Sequence, residues 1–471
     1  MSFLPRVLRH SDFRYLFFGQ AASQVGDRVV LVAVGLFVTR ETGSPTDVGL
    51  VLGAEALALV SLLMFGGVWA DRLPRHRVMI ATDLVRATLH ATVAVLIFTG
   101  GIAIWQLVVI EALFGAAMAF YQPAYTGLLP QTVPEAEIQE ARGLSQTIEN
   151  AAFLLGPVLA TVLVLGVGAG EAFAFDAATF VLSALLLARV RPRARGEQVE
   201  PTGSVIADLR AGWAEVRSRA WVWATIAAFA GTLLCVFAQW YALAPTIARD
   251  VYGSTGVFGA LEACAGAGAV IGAVVAARWR PRFPMRAGLL SILAWPVATG
   301  LFALGVPLVV AGMGMFAAGL SFGVFLVFWE SALAHHIPPH ALSRVSAWDW
   351  MGSLGLLPLG YAIAGPLADM VGTTVVLGVG SVLGFALLAA ALIPRETRML
   401  LDGAPSPSAD QRDLPGGARR RREVDAADWS IGVPALTAVN DQLPVALLHD
   451  AAHVAERHSL GQVGERPDAA A

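Results

Sequence analysis

Long apolar segments dominate the first 393 residues and recur at nearly regular intervals. A membrane-spanning helix needs about 20 consecutive apolar residues to cross a hydrocarbon core of roughly 30 Å. The pattern therefore predicts twelve transmembrane helices, Phe13–Thr39, Val48–Ala70, Val78–Thr99, Ile102–Tyr121, Leu144–Val167, Ala172–Ala188, Trp221–Ala244, Val257–Ala277, Gly288–Val306, Leu308–Glu330, Ala347–Met370 and Thr373–Leu392.

One long polar interruption divides the predicted spans into two sets of six. We predict a six-helix bundle in residues 1–190, a cytoplasmic linker in 191–220 and a second six-helix bundle in 221–393. Within the linker, the pattern of Val205–Val216 predicts a short amphipathic helix along the inner membrane surface. Residues 394–471 mix Pro, Ser, Gly, Asp and Arg with few aromatic residues, which is typical of a disordered cytoplasmic tail.

The two sets of spans share short features at equivalent places. Gly156-Pro157 in the fifth span matches Gly365-Pro366 in the eleventh, and each pair is a candidate kink in its helix. Loops that follow equivalent spans also resemble each other. These repeated features indicate an all-α integral membrane protein with two pseudo-symmetric six-helix bundles. This arrangement is found in transporters built from parallel repeats.

The composition fits this architecture and excludes several functions. Only 14% of the residues are charged and the mean hydropathy is +0.65, whereas a soluble domain has about 25% charged residues. The chain contains no lysine, so it lacks the GxxxxGK[ST] loop that binds ATP. No histidine starts an H-x-x-x-x-D acyltransferase motif, and no zinc-type cluster is present. We therefore expect no enzyme activity, no cofactor and no metal site.

Arginine placement predicts the orientation of the spans. Only Arg40 and Arg249 fall in loops on one side. The loops on the other side contain Arg6, Arg9, Arg72, Arg75, Arg77, Arg189, Arg191, Arg193, Arg195, Arg278, Arg280, Arg282, Arg344 and Arg395. Under the positive-inside rule, this asymmetry places both termini in the cytoplasm of a multi-pass protein in the plasma (inner) membrane.

The loop after the second span reads G-V-W-A-D-R-L-P-R-H-R from Gly67 to Arg77. It resembles the loop signature G-x-x-x-D-R-x-G-R-R of the major facilitator superfamily, although a proline replaces the second glycine and a histidine replaces one basic residue. The resemblance implies that Asp71 meets the positive N-terminal end of span eleven, while Arg72 and Arg75 hold nearby carboxylates. These residues would form a cytoplasmic gate. The alternative is that the arginines only set the topology.

Several charges lie farther along the spans. Asp83 and Arg86 are three residues apart on one helix face, and we expect them to extend the cytoplasmic gate. Asp349 falls in the first turn of span eleven, where the helix dipole favours an acid. Glu330 and Asp176 lie near predicted span ends and could reach the lipid headgroups. We expect a structural role for these last three acids.

A second signature follows the fourth span. Tyr121–Ala124, followed by Leu129-Pro130, resembles the corresponding loop of an exporter group that includes enterobactin-type siderophore exporters and macrolide efflux proteins. Gly26-Asp27 in span one fits the same pattern, and the resemblance extends over about residues 10–393. It implies the major facilitator fold and an efflux function.

Ionisable groups inside the membrane need an explanation, because a central charge costs about 2.5–3.5 kcal/mol or more. Asp27 and Arg28 lie near the middle of span one, and adjacent helical residues point about 100° apart, so they need not pair with each other. Asp27 is a candidate proton carrier, or else forms a buried ion pair with an arginine of another span. Glu111 and Glu262 are further candidates for proton coupling or substrate attraction, although Glu111 could equally be a protonated, hydrogen-bonded acid.

Aromatic residues cluster near predicted span ends, where interface anchoring explains them better than a substrate cage. The residues concerned are Trp105, Trp240, Tyr241, Trp329, Trp348 and Trp350.

The sequence thus favours a secondary active transporter, an antiporter that exports small amphiphilic molecules such as drug-like compounds, antibiotics or siderophore-type metabolites. Protons would enter in exchange, and binding between the halves with alternating access would move the substrate. The expected partners are small-molecule substrate, protons and membrane lipids, with no nucleic acid, and the chain is expected to be a monomer. An importer of the same fold, a membrane-embedded lipid-modifying enzyme and a transport-dead sensor are the alternatives.

Overall fold

The computed structural model describes residues 5–193 and 205–401, and this part of the chain is almost entirely helical. A π-helical turn, Leu233–Phe237, joins two of its helices. The predicted tail from residue 402 onward lies outside the described residues. In chain order the α-helices are α1 (Ser11–Thr42), α2 (Pro45–Arg72), α3 (Arg75–Phe98), α4 (Ile104–Leu128), α5 (Ile138–Gly166), α6 (Ala169–Leu187), α7 (Val205–Ser218), α8 (Ala220–Thr232), α9 (Ala238–Tyr252), α10 (Gly256–Arg278), α11 (Pro284–Ile292), α12 (Ala294–Ala303), α13 (Leu308–His336), α14 (Pro339–Leu354), α15 (Leu357–Val371), α16 (Thr373–Ala390) and α17 (Arg395–Met399).

Eleven helical segments of the described residues are long and apolar enough to cross a membrane. Three of these segments contain two α-helices each: α8 with α9, α11 with α12, and α14 with α15. Helix α5, which is 29 residues long, occupies the place of the fifth predicted span and packs against α1 and α10. With α5, the arrangement matches the predicted twelve spans, which are numbered 1 to 12 below.

Two spans are interrupted where a proline removes a backbone hydrogen bond. Proline has no N–H group, and its ring clashes with the carbonyl four residues earlier. Helix α11 ends at Ile292, four residues before Pro296, and α14 ends at Leu354, four residues before Pro358. Spans 9 and 11 therefore divide at these positions.

The two predicted Gly-Pro pairs do not coincide with these breaks. Helices α5 and α15 continue past Pro157 and Pro366, so neither proline ends its helix. The preceding glycines are positions of close helix contact: a Cβ at Gly156 would clash with the Arg28 side chain, and one at Gly365 would clash with Thr46.

Equivalent spans pack in equivalent pairs in the two halves of the chain. Span 2 packs on span 4 as span 8 packs on span 10, and span 3 packs on span 6 as span 9 packs on span 12. Span 1 likewise contacts spans 5 and 6, and span 7 contacts spans 11 and 12. Between the halves, span 2 meets span 11 and span 5 meets span 8, which is again a symmetric pair of contacts. This repetition is the two-bundle architecture expected from the sequence.

Small residues allow the closest of these contacts. Gly268 and Gly272 on α10 lie against the backbone of α13, while Gly319 and Gly323 on α13 lie against the backbone of α10. A Cβ at any of the four glycines would collide with main-chain atoms of the partner helix. Glycines spaced four residues apart are a common means of close helix packing in membranes.

The two halves are joined on the side of the bundle opposite the N-terminus, which we call the far side. There, Arg249 Nη1 donates to the Thr39 carbonyl at 3.3 Å, and Thr46 Oγ1 donates to Asp369 Oδ2 at 2.9 Å. Where spans 7 and 11 are divided, their far-side helices α9 and α15 pack closely against the first half. The side that carries the N-terminus is called the terminal side below.

The linker between the halves contains helix α7, at the position where an amphipathic helix was predicted. Helix α7 packs against α14, the terminal-side part of span 11. The rings of Trp213 and Trp348 are 4.9 Å apart at this contact, and Val216 is buried. The linker helix is therefore attached to a span of the second half.

Candidate functional site

The first half contains a group of charged side chains deep among its helices, here called the interior charge cluster. Three of its members lie on α3 at spacings of three and four residues, so they share one face of that helix. All members except Asp27, which is partly exposed, are buried. The cluster consists of Asp27 on α1, Asp83, Arg86 and His90 on α3, Glu111 on α4 and Asp176 on α6.

Arg86 is held between carboxylates and aromatic rings. Its Nη2 donates a hydrogen bond to Asp83 Oδ1, and its Nη1 lies 3.7 Å from Asp27 Oδ2. The guanidinium carbon lies 4.1 Å from the ring centroid of Tyr121 and 4.2 Å from that of Phe180. Cation–π contacts of this kind strengthen when water is excluded. Arg86 is thus fixed beside Asp27 by contacts from three other helices.

His90 connects the other two acids. Its Nδ1 is hydrogen-bonded to Asp176 Oδ2, and its Nε2 lies 3.7 Å from Glu111 Oε1. The imidazole stacks on Phe114 with ring centroids 4.2 Å apart and planes only 6° from parallel. One ring therefore lies between two carboxyl groups from different helices, a geometry suited to passing a proton between them.

The charges of the cluster do not balance when all groups are ionised. Four carboxyl groups face one arginine and one histidine, so the cluster itself would carry two more negative than positive charges. Burying an uncompensated charge is costly, and binding a proton removes that cost. Several buried atoms also have no hydrogen-bond partner among the described residues: Asp27 Oδ1, Asp83 Oδ2, Arg86 Nε, His90 Nε2 and Glu111 Oε1. The cluster is therefore suited to taking up and releasing protons.

A polar path leads from Asp27 toward the terminal side. Gln20, Ser23 and Asp27 lie on one face of α1 at helical spacing. Ser23 Oγ donates to Gln20 Oε1 at 3.2 Å, and the Tyr121 hydroxyl group donates to the same oxygen. These side chains provide hydrogen-bonding groups between Asp27 and the terminal end of the helix.

A second feature lies between the two halves. It is a small cavity, about the size of one water molecule. Glu262 is the acid of this cavity; Trp240 Nε1 donates to its Oε1 at 2.6 Å and the Tyr241 hydroxyl donates to its Oε2 at 3.0 Å. The lining residues are Arg28, Leu31, Val32, Pro157, Tyr241, Glu262, Ala265, Gly266 and Trp295.

Asp27 and Arg28 face different surroundings, as their adjacent positions predict. Asp27 contacts Arg86 inside the first half, whereas Arg28 lines the cavity between the halves beside Gly156. Asp27 thus lies beside Arg86, an arginine of another span, which is the partner that the ion-pair alternative requires. Asp27, the proton-carrier candidate, is also the sequence neighbour of Arg28, which lines the cavity between the halves.

Two of the residues predicted to form the cytoplasmic gate lie elsewhere. Asp83 and Arg86, which we expected to extend the gate, are buried in the interior charge cluster. The reason is that the stripe they share with His90 faces α1, α4 and α6. Asp83 and Arg86 therefore belong with Asp27.

The remaining gate residues lie around the end of α2 and the start of α3. Gly67, Asp71 and Arg72 are in the last turns of α2, and their side chains lie outside the described part of the structure. Arg75 Nη1 donates to the Gly127 carbonyl at 2.8 Å, which joins the start of α3 to the end of α4, and Arg77 is exposed.

Sequence reasoning missed or misplaced several members of these sites. His90 and Glu55, a half-buried acid on α2, were not singled out, although each is an ionisable residue inside an apolar run. Asp176 was expected to reach the headgroups, but it is fully buried and paired with His90. The expectation of interface anchoring is wrong for Trp240 and Tyr241, which are buried and bind Glu262.

Comparisons with known proteins agree with the fold. The family model described as Major Facilitator Superfamily matches residues 16–355. The chain therefore belongs to the major facilitator superfamily, and it is a transporter rather than an enzyme.

The relatives and structural neighbours are transporters. Macrolide efflux protein A of Streptococcus pyogenes is 24% identical over 379 residues, covering 76% of this chain and 90% of that protein. Multidrug efflux pump Tap of Mycolicibacterium fortuitum is 25% identical over 371 residues, covering 76% and 89%. The crystal structure of the nucleoside transporter NupG superposes with a TM-score of 0.65 at 14% identity, covering 81% of this chain and 98% of NupG. At that identity NupG shows the shared fold alone.

Proposed function

We propose that this transporter exports small amphiphilic molecules in exchange for protons. The observation that carries the proposal is the interior charge cluster, in which four carboxyl groups lie around one arginine and one histidine. Because the excess negative charge is buried, proton binding and release at the cluster can be linked to conformational change. ATP binding by a lysine-containing phosphate loop is absent from the sequence, so an ion gradient is the energy source that fits.

Asp27 is the member of the cluster best placed to couple protons to substrate. Its side chain is 24% exposed, whereas those of Asp83 and Arg86 are almost completely buried. It adjoins Arg28, which lines the cavity between the halves. A proton on Asp27 would weaken its attraction to Arg86, and movement of α1 would then change the cavity wall at Arg28.

The far-side contacts between the halves bear on the transport cycle. Contacts between the halves join far-side segments, such as Thr46 with Asp369 and Gly259 on α10 with Thr161 on α5. With the arginine-rich terminal side in the cytoplasm, these contacts would close the outer side of the transporter in an alternating-access cycle. Asp71, Arg72 and Arg75 would form the gate that closes the terminal side in the opposite state.

The lining of the cavity between the halves suits an amphiphilic substrate that carries a positive charge, and the cavity would widen during the transport cycle to hold the whole molecule. Tyr241, Trp295 and Pro157 offer apolar surface, and Glu262 offers a carboxylate that could hold a cationic amine. Relatives named for macrolide and multidrug efflux support both this class of substrate and the outward direction. An importer of the same fold would use the same cavity in the reverse direction.

The experiment is uptake into inside-out membrane vesicles from cells that express the full chain. An acidic vesicle interior should drive accumulation of ethidium or erythromycin, because outward proton flow through the inverted transporter carries substrate in. Asp27→Asn should abolish this pH-driven accumulation, since an amide cannot carry the proton. Glu41→Gln is the matched control, an exposed acid on the same helix, and it should retain the flux.

Each outcome separates the alternatives. Accumulation only in right-side-out vesicles would indicate an importer. No accumulation of any probe in either orientation would indicate the transport-dead sensor. Full pH-driven accumulation by Asp27→Asn would remove Asp27 from the coupling mechanism.

A further inference from the structure

A basic groove lies on the terminal side of the second half, away from the cavity between the halves. Its volume is about 400 Å³. Three guanidinium groups and three apolar side chains line it. They are Arg286, Leu290, Leu392, Arg395, Arg398 and Met399.

The groove sits where two spans enter the membrane. Span 9 begins with α11 at Pro284, and span 12 ends with α16 at Ala390, both on the terminal side. The short helix α17 follows span 12 and packs against α11. The groove is therefore at the level expected for the lipid headgroups of that leaflet.

The positive charge of the groove is not neutralised within residues 5–193 and 205–401. In this part of the chain, none of Arg286, Arg395 and Arg398 forms an ion pair with a carboxylate. The neighbouring acid, Glu396, accepts a hydrogen bond from the Ala220 backbone N–H at 2.9 Å and does not line the groove. Three arginines thus face one opening without a matching anion.

Apolar surface continues from the arginines toward the membrane centre. Leu290 is four residues after Arg286 on α11, so it lies on the same face and about 6 Å deeper. Leu290 is 48% exposed and Met399 is 58% exposed. A bound molecule would meet positive charge at the headgroup level and apolar side chains below it.

We propose that this groove binds an anionic phospholipid. Its phosphate would accept hydrogen bonds from Arg286, Arg395 and Arg398, and an acyl chain would lie along Leu290 and the apolar surface of span 9. Arginine favours phosphate because its planar guanidinium group can donate two parallel hydrogen bonds. The apolar wall favours a lipid over free phosphate. This site is separate from the cavity between the halves, and lipid binding here does not depend on the direction or coupling of transport.

Native mass spectrometry of the full-length protein in detergent can test the site. The protein would be titrated with phosphatidylglycerol and with phosphatidylcholine of the same acyl chains. Wild-type protein should retain phosphatidylglycerol preferentially. The triple variant R286Q/R395Q/R398Q should bind it at least about tenfold more weakly, because each arginine near the surface contributes to anionic lipid binding. The variant R286K/R395K/R398K keeps the charge and should retain most of the preference.

A matched control removes the same charge elsewhere on the terminal side. R189Q/R278Q/R280Q changes three exposed arginines outside the groove and should alter the preference less than about twofold. Equal retention of the two lipids by wild-type protein would overturn the proposal. So would an unchanged preference in the groove variant, or displacement of the lipid by inorganic phosphate at a similar concentration.

Discussion

The contact between spans 3 and 6 and its equivalent between spans 9 and 12 have the same place in the fold but different chemistry. In the first half, His90 is hydrogen-bonded to Asp176, with Glu111 close by. In the second half, Thr299 and Ser381 share a neutral hydrogen bond of 2.9 Å. A repeated architecture therefore carries ionisable groups at one contact and only hydroxyl groups at the other.

The interiors of the two halves differ in the same way, with charged groups in the first half and mostly uncharged groups in the second. The second half packs aromatic side chains around its interior, including Trp240, Phe258 and Phe302, and its main buried acid is Glu262 at the cavity. The first half places its acids around Arg86 and His90. The two halves thus share one packing pattern, while a few polar residues give each half a different chemistry.

The largest expected effect is at the charged contact. Asp176→Ala removes the hydrogen-bond partner of the buried His90, so it should reduce the free energy of unfolding by about 3–5 kcal/mol. Chemical unfolding of the purified protein in detergent measures this change. A loss below about 1 kcal/mol would show that the charged pair is not a strong structural contact.

The matched control is the neutral contact. Ser381→Ala removes one hydrogen bond between membrane helices, for which the typical loss is about 0.6 kcal/mol. Equal losses in the Asp176 and Ser381 variants would remove the distinction between the halves.

A smaller effect should follow from changing the acid of the second half. Glu262→Gln keeps one acceptor oxygen for the Trp240 N–H, and its amide NH2 can donate to the Tyr241 hydroxyl oxygen, but the negative charge is removed. The apparent affinity for ethidium in the vesicle assay should fall about tenfold, equivalent to about 1.4 kcal/mol, whereas accumulation of a neutral probe should change less than twofold. Parallel losses for both probes would point to structural damage instead of charge recognition.

The smallest effect concerns the loops after spans 2 and 8. Asp71 is at the place where the repeat has Arg278, so only the first loop offers an acid to a helix N-terminus. Removing such a charge is worth about 0.3–1 kcal/mol, which corresponds to a two- to fivefold slower turnover for Asp71→Asn. Turnover measured under saturating substrate should show this decrease, while Arg278→Gln should leave it unchanged. A slower turnover of Arg278→Gln together with an unchanged turnover of Asp71→Asn would instead place the gate at the second loop.

Most of the fold could be predicted from hydropathy. The pattern predicted a helix over Val78–Thr99 where α3 covers Arg75–Phe98, and one over Val257–Ala277 where α10 covers Gly256–Arg278. Length and apolar content decide whether a segment spans the membrane, so these features were recoverable. The breaks in spans 9 and 11 were not predicted, although each is marked in the sequence by a proline inside the span, Pro296 and Pro358.

The candidate site was only partly predictable. Asp27, Glu111 and Glu262 were recognised because each is an acid inside an apolar run. Hydropathy gives the depth of a residue but not the helix it faces, so the pairing of His90 with Asp176 required the packing of span 3 on span 6. His90 is four residues after Arg86, so the sequence alone places it on the same face of α3 as Asp83 and Arg86, one turn farther along the helix.

The most direct measurement of proton–substrate exchange is proton release by the purified protein in weakly buffered detergent solution. Adding the probe that the vesicles accumulate should release protons from the wild-type protein, detected with a pH indicator, and Asp27→Asn should release none. An undiminished release from Asp27→Asn, or no release from the wild-type protein, would contradict the account.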